Sequence, residues 1–392
     1  MAELAYMLLM ELSKTVVCKL KPSEEDAQKL LTTLKAFRDA CNHISKVAFE
    51  RRVFNPVALH HTVYRETREK FKLPANLAIR ARDRVAKAYK QRRDKLLKFT
   101  RLSMDLDERL FRLIYKPDGI YASISTLQKR VKPPLDIGDY QRKLLEDARP
   151  THAVLVYRNK AFFLHITVEK QIPEPKGSNP VGVDVGMKNL LVASNGFKTK
   201  GGEVLAKRRR FRELRSSLQA KGTASAKRKL KRLSGRERRY VNAVLHQVSR
   251  AFVNTLREGD IVVMEKLTGI QMNAKHRKNQ NGDFHSWAFR KLQSFIEYKA
   301  LERGIPVVYV EPKNTSITCP RCGCIDKANR RSQSLFRCVR CGFQYNADYV
   351  ASLNLSRLEL APAGWAPVRV PHVGMNGDFK MNHYDSPASS RL

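Results

Sequence analysis

Pro180-Val181-Gly182-Val183-Asp184-Val185-Gly186-Met187-Lys188-Asn189-Leu190 is the stretch whose reading decides the rest of the chain. Val181, Val183 and Val185 alternate with Gly182 and Asp184, which is the period of a β-strand. Pro180 precedes the alternation and Gly186 closes it. Strand interiors are depleted in Asp, whose side chain prefers turns and water. An Asp in this position therefore needs a partner or a task. Taken alone, the stretch fits an Asp at a loop end and a metal-ligating carboxylate equally well, and the choice rests on what else the chain carries.

Working outward, the composition narrows the partner. The chain has 392 residues, enough for two to four domains, and 42% of them are hydrophobic, as in a globular protein. Lys and Arg number 75 against 37 Asp and Glu, a net charge of +38. Such an excess suits a polyanion, with nucleic acid ahead of an anionic membrane surface. No apolar run approaches the ~20 residues that span a bilayer. Glu3 and Glu11 flank the mildly apolar start where a signal peptide carries positive charge. These features predict a cytoplasmic, nucleoid-associated protein. Five of the seven cysteines fall within residues 319–341, which fits a metal site in a reducing compartment better than a disulfide framework.

Before the central stretch, residues 14–20 read as a strand ended by Pro22. Ser23 is a helix N-cap with Glu24, Glu25 and Asp26 in the first turn. Leu30, Leu34, Phe37, Cys41, Ile44 and Ala48 then form one apolar helical face. Helix is also expected over 66–72 and over 76–97, the latter with nine Lys or Arg from Arg80 to Lys98 against Asp83 and Asp94. On the chain's overall charge, Arg80, Arg84 and Lys87 are candidate phosphate contacts. Short strands follow over 109–115, 119–125, 153–157 and 161–168, a small antiparallel sheet or barrel. Residues 169–180, with three prolines, read as a linker.

After the central stretch, residues 190–193 form a second strand. Residues 203–240 hold 15 Lys or Arg and periodic leucines, and should be helices lining a nucleic acid backbone; Arg208, Arg209 and Arg210 are candidate contacts. Residues 261–267 are a buried-type strand carrying Glu265 toward its far end, and 270–283 a mobile loop. A helix over 287–303 is closed by Gly304 and followed by a strand over 305–310. Cys319-x-x-Cys322-Gly and Cys338-x-x-Cys341-Gly are two knuckles fifteen residues apart. That spacing sets four thiolates around one structural zinc. Cys324 is spare, and Cys18 and Cys41 read as packing residues. Asn346 caps a helix over 349–360 with Asp348 in its first turn, and the tail from 361 should be disordered.

Asp184, Glu265 and Asp348 are thus three acids at element ends in a cationic chain, the donor set of a two-metal nuclease that holds magnesium. Here a resemblance becomes specific. Gly182-Val-Asp184-Val-Gly186, Val-Val-Met-Glu265-Lys-Leu267 and Asn346-Ala-Asp348-Tyr-Val-Ala351-Ser-Leu-Asn354 resemble the three segments of a RuvC-like nuclease of RNase H-type fold, with a zinc ribbon between the second and third. The arrangement resembles the TnpB family, transposon-encoded RNA-guided endonucleases related to type V CRISPR effectors. Asn242 and His246 resemble its helix before the second acidic segment. The match covers residues 180–360.

The resemblance implies a domain plan. Residues 1–21 would be the first strand of a β-barrel-like wedge domain, 22–100 a helical recognition insertion, and 101–172 the rest of the wedge. Residues 180–314 would be the α/β nuclease domain, 315–345 its zinc ribbon, 346–360 its third segment and 361–392 the tail. It further implies two Mg2+ held by Asp184, Glu265 and Asp348, Zn2+ on Cys319, Cys322, Cys338 and Cys341, and Arg330 or Arg331 near the scissile phosphate. Guide RNA and target double-stranded DNA are the partners implied, with no membrane. Three other readings remain: a guide-dependent DNA-binding regulator that does not cut, a miniature type V CRISPR effector, and a transposase on the same fold.

Overall fold

The computed structural model describes residues 9–267, 289–311, 314–358 and 373–374. The chain divides into two units, residues 11–171 with 370–392, and residues 172–369 with the first ten.

In the first unit, strand β1 (Leu9–Leu20) starts five residues before the predicted strand. The reason is burial: Leu12, Val16, Cys18 and Leu20 alternate into the core along its length. Helix α1 (Glu24–Glu50) begins as its sequence dictates. Ser23 Oγ accepts the Asp26 N–H, and Leu30, Leu34, Phe37, Cys41, Ile44 and Ala48 are all fully buried. Helix α2 (Pro56–Phe71) is capped by the Asn55 side chain, and α3 (Ala75–Tyr89) follows.

Helix α3 stops eight residues short of the predicted end. The chain beyond it is held against α1 and the end of α3 by polar contacts: the Leu97 N–H donates to the Tyr89 hydroxyl (3.2 Å), Ser45 Oγ donates to the Leu97 carbonyl (2.6 Å), and Asn42 bonds both backbone groups of Phe99. The α1 partners lie some fifty residues away in sequence, so local helix propensity cannot anticipate them.

Strands β2 (Ser103–Leu106), β3 (Phe111–Lys116), β4 (Gly119–Ile124) and β5 (Leu135–Asp136), helix α4 (Asp139–Glu146), and strands β6 (Arg149–Arg158) and β7 (Ala161–Pro173) complete the unit. The β6–β7 hairpin turns at Asn159 and Lys160, both with positive φ, as a two-residue hairpin turn requires. The main sheet has the linear order β15 (Val373–Gly374), β1, β7, β6, β2, with β5 paired to β1; the β3–β4 hairpin stands beside it. The edge strand β15 (Val373–Gly374) pairs in parallel with β1. The rest of the predicted disordered tail lies outside the described residues.

The predicted linker is mostly strand. Strand β7 continues to Pro173 and β8 (Gly177–Asp184) starts four residues later. Pairing decides this, because β8 pairs with β11 (Gly259–Glu265) from Gly177 onward, with one bulge after the first pair.

The second unit is built on β8. Strands β9 (Asn189–Ala193) and β10 (Lys198–Lys200) fold back from it antiparallel, and helices α5 (Gly202–Lys221) and α6 (Ala224–Thr255) lead to β11. Helix α7 (Phe289–Leu301) then returns the chain to β12 (Val307–Val310). The sheet order is β10-β9-β8-β11-β12, antiparallel up to β8 and parallel from β8 to β12. The predicted mobile loop over 270–283 lies outside the described residues. The hairpin of β13 (Leu335–Arg337) and β14 (Gln344–Asn346) leads directly into helix α8 (Ala347–Arg357).

Helix α8 lies on β8, and the contact explains Gly182. A Cβ there would collide with the Ser352 carbonyl and the Ser356 N–H. The small residues Ala351 and Ser352 are buried at the same contact, and Ser352 returns its hydroxyl to the Tyr349 carbonyl. Among the described residues no helix is long and apolar enough to cross a membrane.

Candidate metal centres

Each of the three acids stands at an element end on the central sheet. Asp184 is the last residue of β8 and Glu265 the last of β11. The two strands are parallel neighbours with Val183 opposite Met264, so the next residue of each emerges at the same sheet end. Asp348 is the second residue of α8, which packs on β8. The Asn346 side chain caps that helix by accepting from the N–H groups of Asp348 and Tyr349.

The electrostatics show the three acids sharing one environment. Burial, then the charges of Glu265 and Asp348, push the Asp184 carboxyl up to about 7, against a downward pull from Arg330. Burial also raises Glu265, opposed by its Thr315 hydrogen bond and Arg330. Arg330 lies 3.6 Å from Asp348, whereas Arg331 is exposed. Of the two candidate arginines, Arg330 is the one that faces the acids.

Three supporting residues carry no sequence motif of their own strong enough to single them out. Asn189 donates to Asp348 at 2.6 Å, and Thr315 Oγ1 lies 3.5 Å from Glu265 Oε1. The Asn354 amide donates to the carbonyls of Thr315 and Thr318, tying α8 to the entry of the ribbon. Asn189 had a signal, as the one amide in the fully buried strand β9, and Asn354 lies inside the third acidic segment. Thr315 had none.

The four knuckle cysteines converge separately. Their sulfurs all lie within 4.8 Å of one another, with Cys319–Cys341 and Cys322–Cys338 both at 3.6 Å. Zinc–sulfur bonds of ~2.3 Å in a tetrahedron set sulfurs ~3.8 Å apart, so the quartet fits zinc as it stands. Against the upward push of burial, the N–H groups of Cys341 and Arg340 bring the Cys338 thiol down to about 6. Cys324 packs beside the quartet. Cys18 and Cys41 are buried thiols pushed up to about 12, away from either centre.

The candidate phosphate contacts divide. Arg84 bonds Asp105 (2.6 Å) and Ser103, and Arg80 pairs with Asp83 and Asp107. Arg208 is buried beside Glu237. Lys87, Arg209 and Arg210 are exposed. Acids from elsewhere in the chain, Asp107, Asp105 and Glu237, stand beside Arg80, Arg84 and Arg208, and of the three only Arg208 is buried.

Known proteins share these segments. A family model described as a probable transposase matches residues 163–272, and one described as the Cas12f1-like TNB domain matches residues 289–355. Between them they span the three acids and the four knuckle cysteines. A TnpB-like protein of Methanocaldococcus jannaschii is 31% identical over 268 residues, 62% of this chain and 92% of that protein. The CRISPR-associated endodeoxyribonuclease Cas12f1 of Sulfoacidibacillus thermotolerans is 34% identical over 41% of this chain and 40% of its own length. A Cas12f1 solved in complex with sgRNA and target DNA superposes with a TM-score of 0.66 at 14% identity, covering 89% of this chain and 99% of that one. That superposition gives the two chains a common fold.

Proposed function

The chain belongs to the TnpB family, and from that premise we propose that it is an RNA-guided DNA endonuclease whose centre is Asp184, Glu265 and Asp348. The observation that carries the reading is the mutual electrostatic pressure of three carboxylates at one sheet end, which Arg330 only partly relieves. Hard oxygen donors at that charge density fit magnesium. Divalent ions held by these three carboxylates, two in the family's manner, would supply an activated water and charge relief on the leaving oxygen.

The chain's own residues do the rest. Asn189 and the cap of α8 fix the Asp348 carboxylate, while Thr315 orients Glu265. Arg330, beside Asp348, faces where a scissile phosphate would sit and counters its developing charge. Cys319, Cys322, Cys338 and Cys341 hold one structural zinc, which fixes the ribbon that carries Arg330. Sequence choice is delegated to a guide RNA paired with one DNA strand, and the protein reads a short flanking motif on the duplex. Residues 172–358 are the RNase H-like nuclease with its ribbon. The sheet of the other unit is the wedge, and helices α1–α3, inserted between β1 and β2, are its recognition module. The protein would act on nucleoid DNA.

The test is cleavage of a plasmid bearing the matching target by purified protein with its copurified RNA. Magnesium-dependent cutting is expected of the parent and none of Asp184→Ala, Glu265→Ala or Asp348→Ala. Cutting by all three variants at the parent rate would sink the site. Guide-dependent binding without cutting by the parent would make the protein a regulator.

A further inference from the structure

Helix α7 buries polar side chains where its packing asks for apolar ones. Leu292, Phe295, Ile296 and Ala300 are buried, and Gln293 and Glu297 are buried with them. A buried amide or carboxyl costs stability unless it is hydrogen-bonded. Glu297 accepts from the Tyr309 hydroxyl of β12 at 3.0 Å. The Gln293 amide donates to the backbone carbonyl of Glu265 at 2.8 Å. One turn earlier, the exposed Arg290 reaches the Leu267 carbonyl through Nε (2.8 Å) and Nη2 (2.6 Å). Steps of three and four residues set Arg290, Gln293 and Glu297 on one side of the helix.

Where the sheet ends explains what Gln293 meets. The N–H groups of Val262 and Lys266 donate to the carbonyls of Pro306 and Val310, on the β12 side of β11. Backbone groups alternate sides along a strand, so those of Glu265 are directed toward β8. The β8 ladder stops at Val183 opposite Met264. The Glu265 carbonyl has therefore run past its strand partner, and Gln293 supplies the donor. The planar peptide group after Glu265 is then held at both ends, its C=O by Gln293 and its N–H by the Val310 carbonyl at 2.8 Å. With the ladder on the other side, this fixes the backbone from which the Glu265 carboxylate projects. Core packing alone would be met by Leu or Met at position 293.

We propose that Gln293, with Arg290 behind it, is a clamp that positions Glu265 for divalent-cation binding by holding the end of β11. This deepens the nuclease reading and rests on it. Both are positioning residues: they touch the backbone of the acid segment and leave the metal ions and the phosphate to the carboxylates. Thr315 orients the Glu265 carboxylate from its far end, and the clamp sets its root.

The experiment uses the full chain with its copurified RNA and manganese(II) as probe, a cation that suits carboxylate donors and is followed by its electron paramagnetic resonance. The component of binding that Glu265→Ala removes reports the acid cluster. Gln293→Met keeps the length and packing but removes the donor. It should weaken that component roughly 10–100-fold, with zinc content and Tm unchanged. Arg290→Met, at an exposed position one turn away, should weaken it by about 3-fold. A fall in Tm with the parent's manganese affinity would make Gln293 a packing residue and overturn the proposal. If Gln293→Met fails to fold, parent affinity in Arg290→Met overturns it. A parent without any Glu265-dependent component overturns it too. Plasmid cleavage by the parent, run in parallel, separates the two readings: cutting with unchanged manganese binding in both variants removes the clamp alone, and weakened binding beside a parent that does not cut keeps the clamp and removes the nuclease.

Discussion

The cysteine quartet and the carboxylate triad are both candidate sets of metal donors, and they sit in the fold in opposite ways. The sulfurs lie within 4.8 Å of one another, with backbone N–H groups already turned toward Cys338. The carboxylates are coupled through charge, to the point that burial and its two neighbours hold Asp184 at about 7. A site that exists to stabilise a small module can be complete in itself. A site that must bind cations and a phosphate keeps its negative charge unrelieved, so it costs the fold stability until those ligands arrive.

The largest expected effect separates the two outright. Asp184→Ala should lower DNA cleavage by at least about 10³-fold in a plasmid assay, with one zinc per chain retained by elemental analysis. Next is the converse. Cys338→Ser with Cys341→Ser should release the zinc and unfold the ribbon, since structural zinc contributes on the order of 10 kcal/mol to such modules. Limited proteolysis would report it as new cleavage confined to residues 314–346. A double variant that keeps its metal and its protection would break the comparison.

A smaller effect has the opposite sign. The Asp184 carboxyl moves from 3.8 to about 7 on folding. Its neutral form is therefore favoured in the fold, and the associated stability is fully present below pH ~4 and lost as pH rises through 7. Asp184→Asn removes that loss. In the presence of a chelator the variant should melt above the parent at pH 8, by roughly 2–4 kcal/mol, with the margin shrinking at pH 5 and absent below pH 4. A parent more stable than the variant at pH 8 without metal would show that the triad carries no strain. The smallest effect sharpens how the acids are held. Thr315→Val and Asn189→Ala should each lower metal affinity or cleavage by about 10–100-fold without moving the melting temperature, as read from magnesium titrations of the cleavage rate.

Much of this was legible because the signals are local. Ser23 and Asn346 cap the helices that their sequence context predicts, and the apolar face of α1 is buried as its spacing demands. The motif glycine Gly182 has a cause that the sequence could not show, the backbone of α8 lying where its Cβ would be. Local patterns misled where a distant partner decides. Helix α3 ends at Tyr89 because Asn42 and Ser45 capture the segment beyond it, and residues 169–180 become strand because β11 supplies a ladder for Gly177 onward. Charge counting named Arg80, Arg84 and Arg208 as phosphate contacts without showing the acids that stand beside them, Asp107, Asp105 and Glu237.

The sequence by itself determined the two candidate donor sets, because carboxylates at strand and helix ends and paired Cys-x-x-Cys knuckles are patterns of residue type and spacing. Tertiary structure alone decided which arginine faces the acids, which of the candidate cations stay exposed, and that Asn189 and Thr315 orient the acids. Those are matters of which side chains meet across tens to more than a hundred residues of chain, and contact at that range is set by packing and pairing rather than by local propensity.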